Sequence, residues 1–293
     1  MKDMLSKKYN LYKERINNEI KGFLDGLIFS EKNSILQDNY KIIQAFILRD
    51  GKRIRPLITL GIYNAIKGRI DEQIILSVIS SEILHSGTLV HDDIIDEDDI
   101  RRGLPSIHKI AEKLHSLGHD KEIVKLFRNS AIRYGVSIAI LHGNLLYSLG
   151  IECLLKSNIL PEVKDTLIKK YNETYRDVNE GQILDIELTK SGFNEEKYIE
   201  MITKKTSALF IYSVELGAQL GDGTNEQLGI LRECITNYSL AFQIMDDITD
   251  KENIGITQES SKKYFATARG LLMKNKGKFK DVSFLDYILE KIL

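Results

Sequence analysis

Residues 92–99 read Asp-Asp-Ile-Ile-Asp-Glu-Asp-Asp, six acids in eight positions. On a helix, Asp92 and Asp96 fall four apart on one face, where like charges repel by about 0.2–0.5 kcal/mol per pair. Such crowding is unfavourable unless a cation sits on it or solvent screens it. A second set, Asp246-Asp247-Ile-Thr-Asp250, repeats the spacing about 150 residues further on. Either set alone reads equally well as a solvated acidic surface. Together, each at the end of an apolar helical approach, they point to hard-cation binding. Mg²⁺ held by few carboxylates completes its octahedron with water and substrate phosphates. Two acidic helix faces therefore imply a phosphorylated substrate bridged between them.

Positive charge stands where that substrate needs it. Arg101-Arg102-Gly103 follows the first acidic set, and Gly51-Lys52-Arg53-Ile54-Arg55-Pro56 precedes an apolar helical segment. By themselves, Arg101 and Arg102 read as cations capping a helix C-terminus with Gly103 at the stop, and residues 52–55 as an exposed basic loop. Guanidinium forks and ammonium donors match phosphate oxygens. Basic and acidic sets together read as a diphosphate site with its metals.

The elements that must position these groups are helices. Apolar residues recur at helical spacing in Ile42, Ile43, Phe46 and Ile47, and again in Leu76, Ile79, Ile83, Leu84 and Val90, which run into the first acidic set. Segments 168–188, 198–220 and 228–248 continue the habit. Strand alternation of useful length is absent, and Pro56, Pro105 and Pro161 are the only three prolines. The chain therefore predicts an all-α fold, with Gly51, Gly68, Gly103, Gly192 and Gly221-Asp222-Gly223 near helix ends. No Pro/Ser-rich linker marks a boundary, so one domain over residues 1–293 is expected.

Composition narrows the function classes. A formal net charge of -1 leaves no overall basic field for a nucleic-acid partner or an anionic membrane surface. Cys153 and Cys234 are too few for a disulfide framework and read as buried thiols in a reducing, cytoplasmic setting. The N-terminus reads as an amphipathic helix without the apolar run and cleavage site of a signal peptide. The uncharged window from Tyr134 to Ile151 contains His142, Asn144 and three glycines, and fits a buried core helix better than a membrane span.

At this point the residues resemble the trans-isoprenyl diphosphate synthases, or polyprenyl synthetases. The likeness runs from about residue 40 to 250. It comprises Gly51-Lys52-x-x-Arg55-Pro56, His85-Ser-Gly-Thr-Leu-Val-His91-Asp92-Asp93-x-x-Asp96 with Arg101-Arg102-Gly103, Glu180-Gly181-Gln182, Lys205-Thr206, and Phe242-Gln243-x-x-Asp246-Asp247-x-x-Asp250. The resemblance implies a barrel of antiparallel helices around a central cavity, the isoprenoid synthase type I fold, as a homodimer. It implies head-to-tail prenyl transfer, in which diphosphate leaves an allylic substrate and the double bond of isopentenyl diphosphate attacks the resulting carbocation. Carried over by motif, Asp92, Asp96, Asp246 and Asp250 would hold Mg²⁺, with three ions per site. Lys52, Arg55, His85 and Arg102 look like the isopentenyl diphosphate side. Arg101, Lys205, Thr206 and Gln243 look like the allylic diphosphate side, with Arg101, Lys205 and Gln243 nearest the chemistry. In the family, the two residues four and five before the first aspartate line the cavity floor. Here they are Thr88 and Gly87, both small, which implies a product longer than C15.

The likeness weakens after Asp250, where the family carries a Lys-bearing loop and a Gly-Lys-x-Thr-x-Pro segment. A shortened C-terminal region with a final pair of helices is expected instead, with Lys251, Lys262 and Lys263 as stand-ins for the loop lysine. This departure keeps one alternative in view, a catalytically weak or regulatory subunit of a hetero-oligomeric prenyl synthase. An HD-type phosphohydrolase, suggested by His91-Asp92, leaves the second acidic set unexplained. A class I terpene cyclase normally carries a different second metal site.

Overall fold

The computed structural model describes residues 2–116, 126, 130–188, 194–249 and 256–292. Its helices are α1 (Lys2–Ser30), α2 (Ser34–Ile47), α3 (Ile54–Lys67), α4 (Ile75–Val78), α5 (Ser80–Ile95), α6 (Ile107–Ser116), α7 (Ser130–Lys156), α8 (Pro161–Leu188), α9 (Glu195–Ile202), α10 (Ala208–Leu220), α11 (Asn225–Thr249), α12 (Gln258–Lys274) and α13 (Ser283–Ile292). The fold is all-α, as the apolar spacing predicts. Local chemistry sets several of the boundaries. The Asn33 side chain accepts from the Ile35 and Leu36 amides to start α2. Pro161 takes the first position of α8, where its missing N–H leaves no donor unpaired. Pro56 sits in the first turn of α3, and Gly68, at φ 79°, closes that helix in the left-handed conformation. Gly192 lies outside the described residues.

Two expectations are corrected. Residues 101–103 do not end a helix: α5 stops at Ile95, and the chain then forms a short hairpin, β1 (Ile100–Arg101) against β2 (Leu104–Pro105). Arg102 and Gly103 form its tight turn with φ of 54° and 73°. Positive φ at both central residues matches the twist of a two-residue hairpin, and Gly103 adopts it without strain. The second correction concerns α7, which is buried on one side only. Leu141 is 56% exposed and Ile140 44%, while Leu146, Leu149 and Cys153 are buried. By length and composition α7 and the stretch 72–95 are apolar enough to cross a membrane, but the latter is core, with 72% of its apolar window buried.

The elements that carry the acids are seated by close helix contacts. A Cβ at Gly143 of α7 would overlap the His91 ring of α5, so a larger residue there would make that ring turn away. The apolar core draws on α1, α2, α3, α5, α7, α10, α11, α12 and α13, which together hold α5 and α11 in place.

Candidate active site

A cavity of about 670 Å³ opens between α3, α5, α8, α10 and α11. Asp92 and Asp96, at the C-terminal end of α5, line it together with Asp246 near the end of α11. Asp96 and Asp246 are exposed and Asp92 is half-buried. The two acidic sets thus share one space. Asp250 falls outside the described residues.

The basic residues divide by burial. Lys52 is exposed, and its ammonium stands 5.9 Å from the Phe242 ring centre. Arg55 is buried, lies 5.0 Å over Phe210, and is pulled down to about 10 by burial despite the nearby Glu82 carboxylate. Among the described residues its Nε has no hydrogen-bond partner. His85 Nδ1 is likewise buried and unpartnered. Burial, then the charges of Arg55 and Arg102, push the His85 pKa well below the usual range, so the imidazole is neutral. Arg102 reaches the cavity from the hairpin turn and lies against Gly51, where a Cβ would stand 2.9 Å from its Nη1.

Arg53, between Lys52 and Arg55, does something different. Its left-handed φ of 51° turns it inward, where it donates to Glu82 at 2.8 Å and to the Ile47 and Arg49 carbonyls at 2.8 and 2.9 Å. It holds the loop rather than a ligand.

The 198–220 segment is helical throughout but contains one π-helical turn, Thr203–Ser207, between α9 and α10. Such turns are frequent at functional sites. It presents Lys205 and Thr206 to the cavity. A Cβ at Gly181 of α8 would overlap the Lys205 backbone, so this glycine permits the approach. Lys205 Nζ pairs with Asp185 at 2.5 Å and with Asp92 at 3.4 Å. Burial works against the charge, but these carboxylates hold Lys205 above the ordinary lysine range. Arg101 similarly donates to Asp93 at 2.6 Å and Asp98 at 2.9 Å and stands 3.9 Å from Asp92. Thr206 donates to the Gln243 carbonyl at 2.9 Å, and the Gln243 amide donates to Asp247 at 2.5 Å.

The acids keep an unmet demand for positive charge. Asp96 is raised by partial desolvation and then by Asp92, and Asp93, raised to about 6 by burial against the pull of Arg101, retains a buried oxygen without a partner among the described residues. Among the described residues no three ligating side chains converge on one point. A cation such as Mg²⁺ takes one or two carboxylates and completes its shell from water and phosphate. Asp92, Asp96 and Asp246 offer carboxylate oxygens to the cavity, the donor type that suits a hard cation.

Lys52, Arg55, His85, Arg101, Arg102, Lys205, Thr206 and Gln243 all line this cavity, as does Thr88. Gly87 does not; a Cβ there would stand 3.1 Å from Leu146 Cβ and 3.2 Å from the Gly143 carbonyl of α7. The expectation that it forms the cavity floor is therefore corrected: it is a helix contact. The motif reading missed Glu82, Asp185 and Tyr198. A lone acid within the apolar run 76–90 signals a buried cation partner for Glu82. Asp185 follows Gln182 at i+3 on one helix face, a spacing that was available. Tyr198 carries no charge and no motif.

The model of the family described as polyprenyl synthetase matches residues 37–265. The geranylgeranyl diphosphate synthase of Sulfolobus acidocaldarius is 32% identical over 253 residues, covering 83% of this chain and 69% of its own. Other curated relatives are covered over less than two thirds of their own length. Among solved structures, the apo FPP/GFPP synthase of Zymomonas mobilis superposes with a TM-score of 0.80 at 22% identity, covering 100% of this chain and 99% of its own. The geranylgeranyl pyrophosphate synthase of Corynebacterium glutamicum, solved in complex with isoprenyl diphosphate and magnesium, superposes at 0.72 with 21% identity, covering 95% and 89%. At these identities the superpositions show the fold, which is that of the isoprenoid synthases.

Proposed function

Because the chain belongs to the polyprenyl synthetase family, we propose that it is a trans-prenyltransferase joining an allylic diphosphate head-to-tail to isopentenyl diphosphate. The observation that carries this reading is the single cavity lined by acids of both sets and by Lys52, Arg55, Arg102 and Lys205. Asp92, Asp96 and Asp246, with Asp250 by its motif position, would hold Mg²⁺, three ions by the family resemblance, and the metal would supply neutralisation of the charge developing on the leaving diphosphate.

The protein's own groups do the rest. Lys205, Thr206, Gln243 and Arg101 hold the allylic diphosphate. Lys52, Arg55 and Arg102 bind the isopentenyl diphosphate with charge, and the neutral His85 adds a hydrogen bond. Leu89, Tyr175, Val178, Leu209 and Phe242 form an apolar wall that keeps water from the carbocation. A product longer than C15 is supported by the small Thr88 on the wall and by the name of the Sulfolobus relative. Tyr175, its ring centre 4.1 Å from that of Tyr147 with the planes tilted by 32°, bounds that wall on the α8 side. A homodimer is supported by the exposed apolar side of α7. Among the described residues, no feature of the cavity favours the alternative of a weakly active subunit.

The test is incubation with Mg²⁺, labelled isopentenyl diphosphate and primers of several lengths. Products above C15 are expected, and products ending at C15 would refute the length assignment.

A further inference from the structure

Both carboxylate oxygens of Asp247 are claimed inside the protein. The Tyr198 hydroxyl donates to Oδ2, and the Gln243 amide nitrogen donates to Oδ1 at 2.5 Å. The opposite end of that amide, Oε1, accepts from the Thr206 hydroxyl at 2.9 Å. Four side chains from α9, α11 and the π-helical turn therefore form one chain of hydrogen bonds. Its order is dictated from the buried end. A carboxylate only accepts, so the Gln243 nitrogen must face Asp247 and its oxygen must face Thr206. A glutamine terminal torsion is otherwise broad and two-fold.

The ends of this chain differ in place. Thr206, Gln243 and Asp247 line the cavity, whereas Tyr198 is 6% exposed within an apolar cluster with Met201, Ile202, Leu240 and Ile244. Tyr198 is not among the residues that line the cavity, yet its hydroxyl donates to Asp247. Asp247 itself is 7% exposed, so the loss of a donor would leave a buried oxygen seeking another partner.

We propose that Tyr198 is a positioning residue for the diphosphate end of the cavity: through Asp247 it fixes the Gln243 amide and, with it, Thr206. Asp247, at the cavity wall but with both oxygens bonded to side chains, is then an anchor, distinct in role from its neighbour Asp246. The inference rests on the diphosphate reading of the site, and its test is separable from that reading because binding is measured without turnover.

The full chain is titrated with inorganic diphosphate in Mg²⁺ by calorimetry, as wild type, Tyr198→Phe, Thr206→Val and the double variant. Each single change is expected to weaken binding roughly tenfold. Since both act on one chain, the double variant is expected to lie within about twofold of the weaker single variant. Steady-state kinetics supply the second readout, a rise in KM for the allylic substrate with KM for isopentenyl diphosphate unmoved. Unchanged binding in Tyr198→Phe, or effects that multiply in the double variant, would overturn the proposal. If Tyr198→Phe does not fold, Asp247→Asn replaces it in the same cycle under the same criterion. Non-additive binding in a protein that elongates no primer would count against the proposed activity and uphold the positioning role.

Discussion

The guanidinium of Arg53 meets the carboxylate of Glu82 at 2.8 Å, with the two side chains 1% and 2% exposed. Arg53 also donates to Asn17 and to two backbone carbonyls, so one buried cation ties α1, the end of α2 and α5 to the loop that carries Lys52. Removing one partner of such a pair strands the other charge. Glu82→Ala should cost about 3–5 kcal/mol of stability, read as a lowered urea midpoint at unchanged slope. A loss under 1 kcal/mol would show that the pair is not a structural anchor.

Thr88 and Gly87 should behave oppositely. Thr88 lines the cavity, so Thr88→Phe should shorten the products while the protein stays folded. Gly87 faces the backbone of α7, and Gly87→Phe should separate α5 from α7 and lower the melting temperature, as overpacked cores do. Product chromatography and thermal denaturation of both variants check this. A stable Gly87→Phe protein with shortened products would contradict the placement.

His142 offers a pH test away from the cavity. Burial lowers its pKa from 6.5 to about 4, and its Nε2 meets Asn39 Oδ1 at 2.7 Å. Between those values the folded state binds fewer protons than the unfolded one, so stability falls as pH drops through this window. His142→Gln, which keeps an N–H for Asn39, should flatten that fall in urea titrations from pH 7 to 4. Equal slopes in both proteins would remove His142 as the cause.

These contrasts show what a sequence makes legible. The acidic and basic motifs, read from spacing and charge, reached one cavity because helical periodicity had already set which faces meet. Arg53 escaped such reading because its sequence context matches that of Lys52 and Arg55; only the left-handed backbone turns it inward. The hairpin at residues 100–105 has two residues per strand, too short for a period of two to register. Tyr198 is an ordinary apolar-face residue until Asp247 is brought beside it from α11. Gly87 carried the right motif position but the wrong facing, which depends on the α5–α7 approach.

The acids of the two sets should not substitute for one another. Asp92→Ala and Asp246→Ala should each lower turnover by about a hundred- to a thousandfold, the scale of losing one electrostatic group in a catalytic site. Each folded variant should melt near the wild-type temperature. Near-normal rates in either would contradict the cation assignment.

The most direct measurement is elongation itself. Purified protein is incubated with labelled isopentenyl diphosphate and allylic primers, with Mg²⁺ and again with chelator, and lipid-soluble label is counted. Mg²⁺-dependent incorporation that disappears in Asp92→Ala and Asp246→Ala is the predicted result. A folded wild-type protein that incorporates no label from any primer would contradict the account.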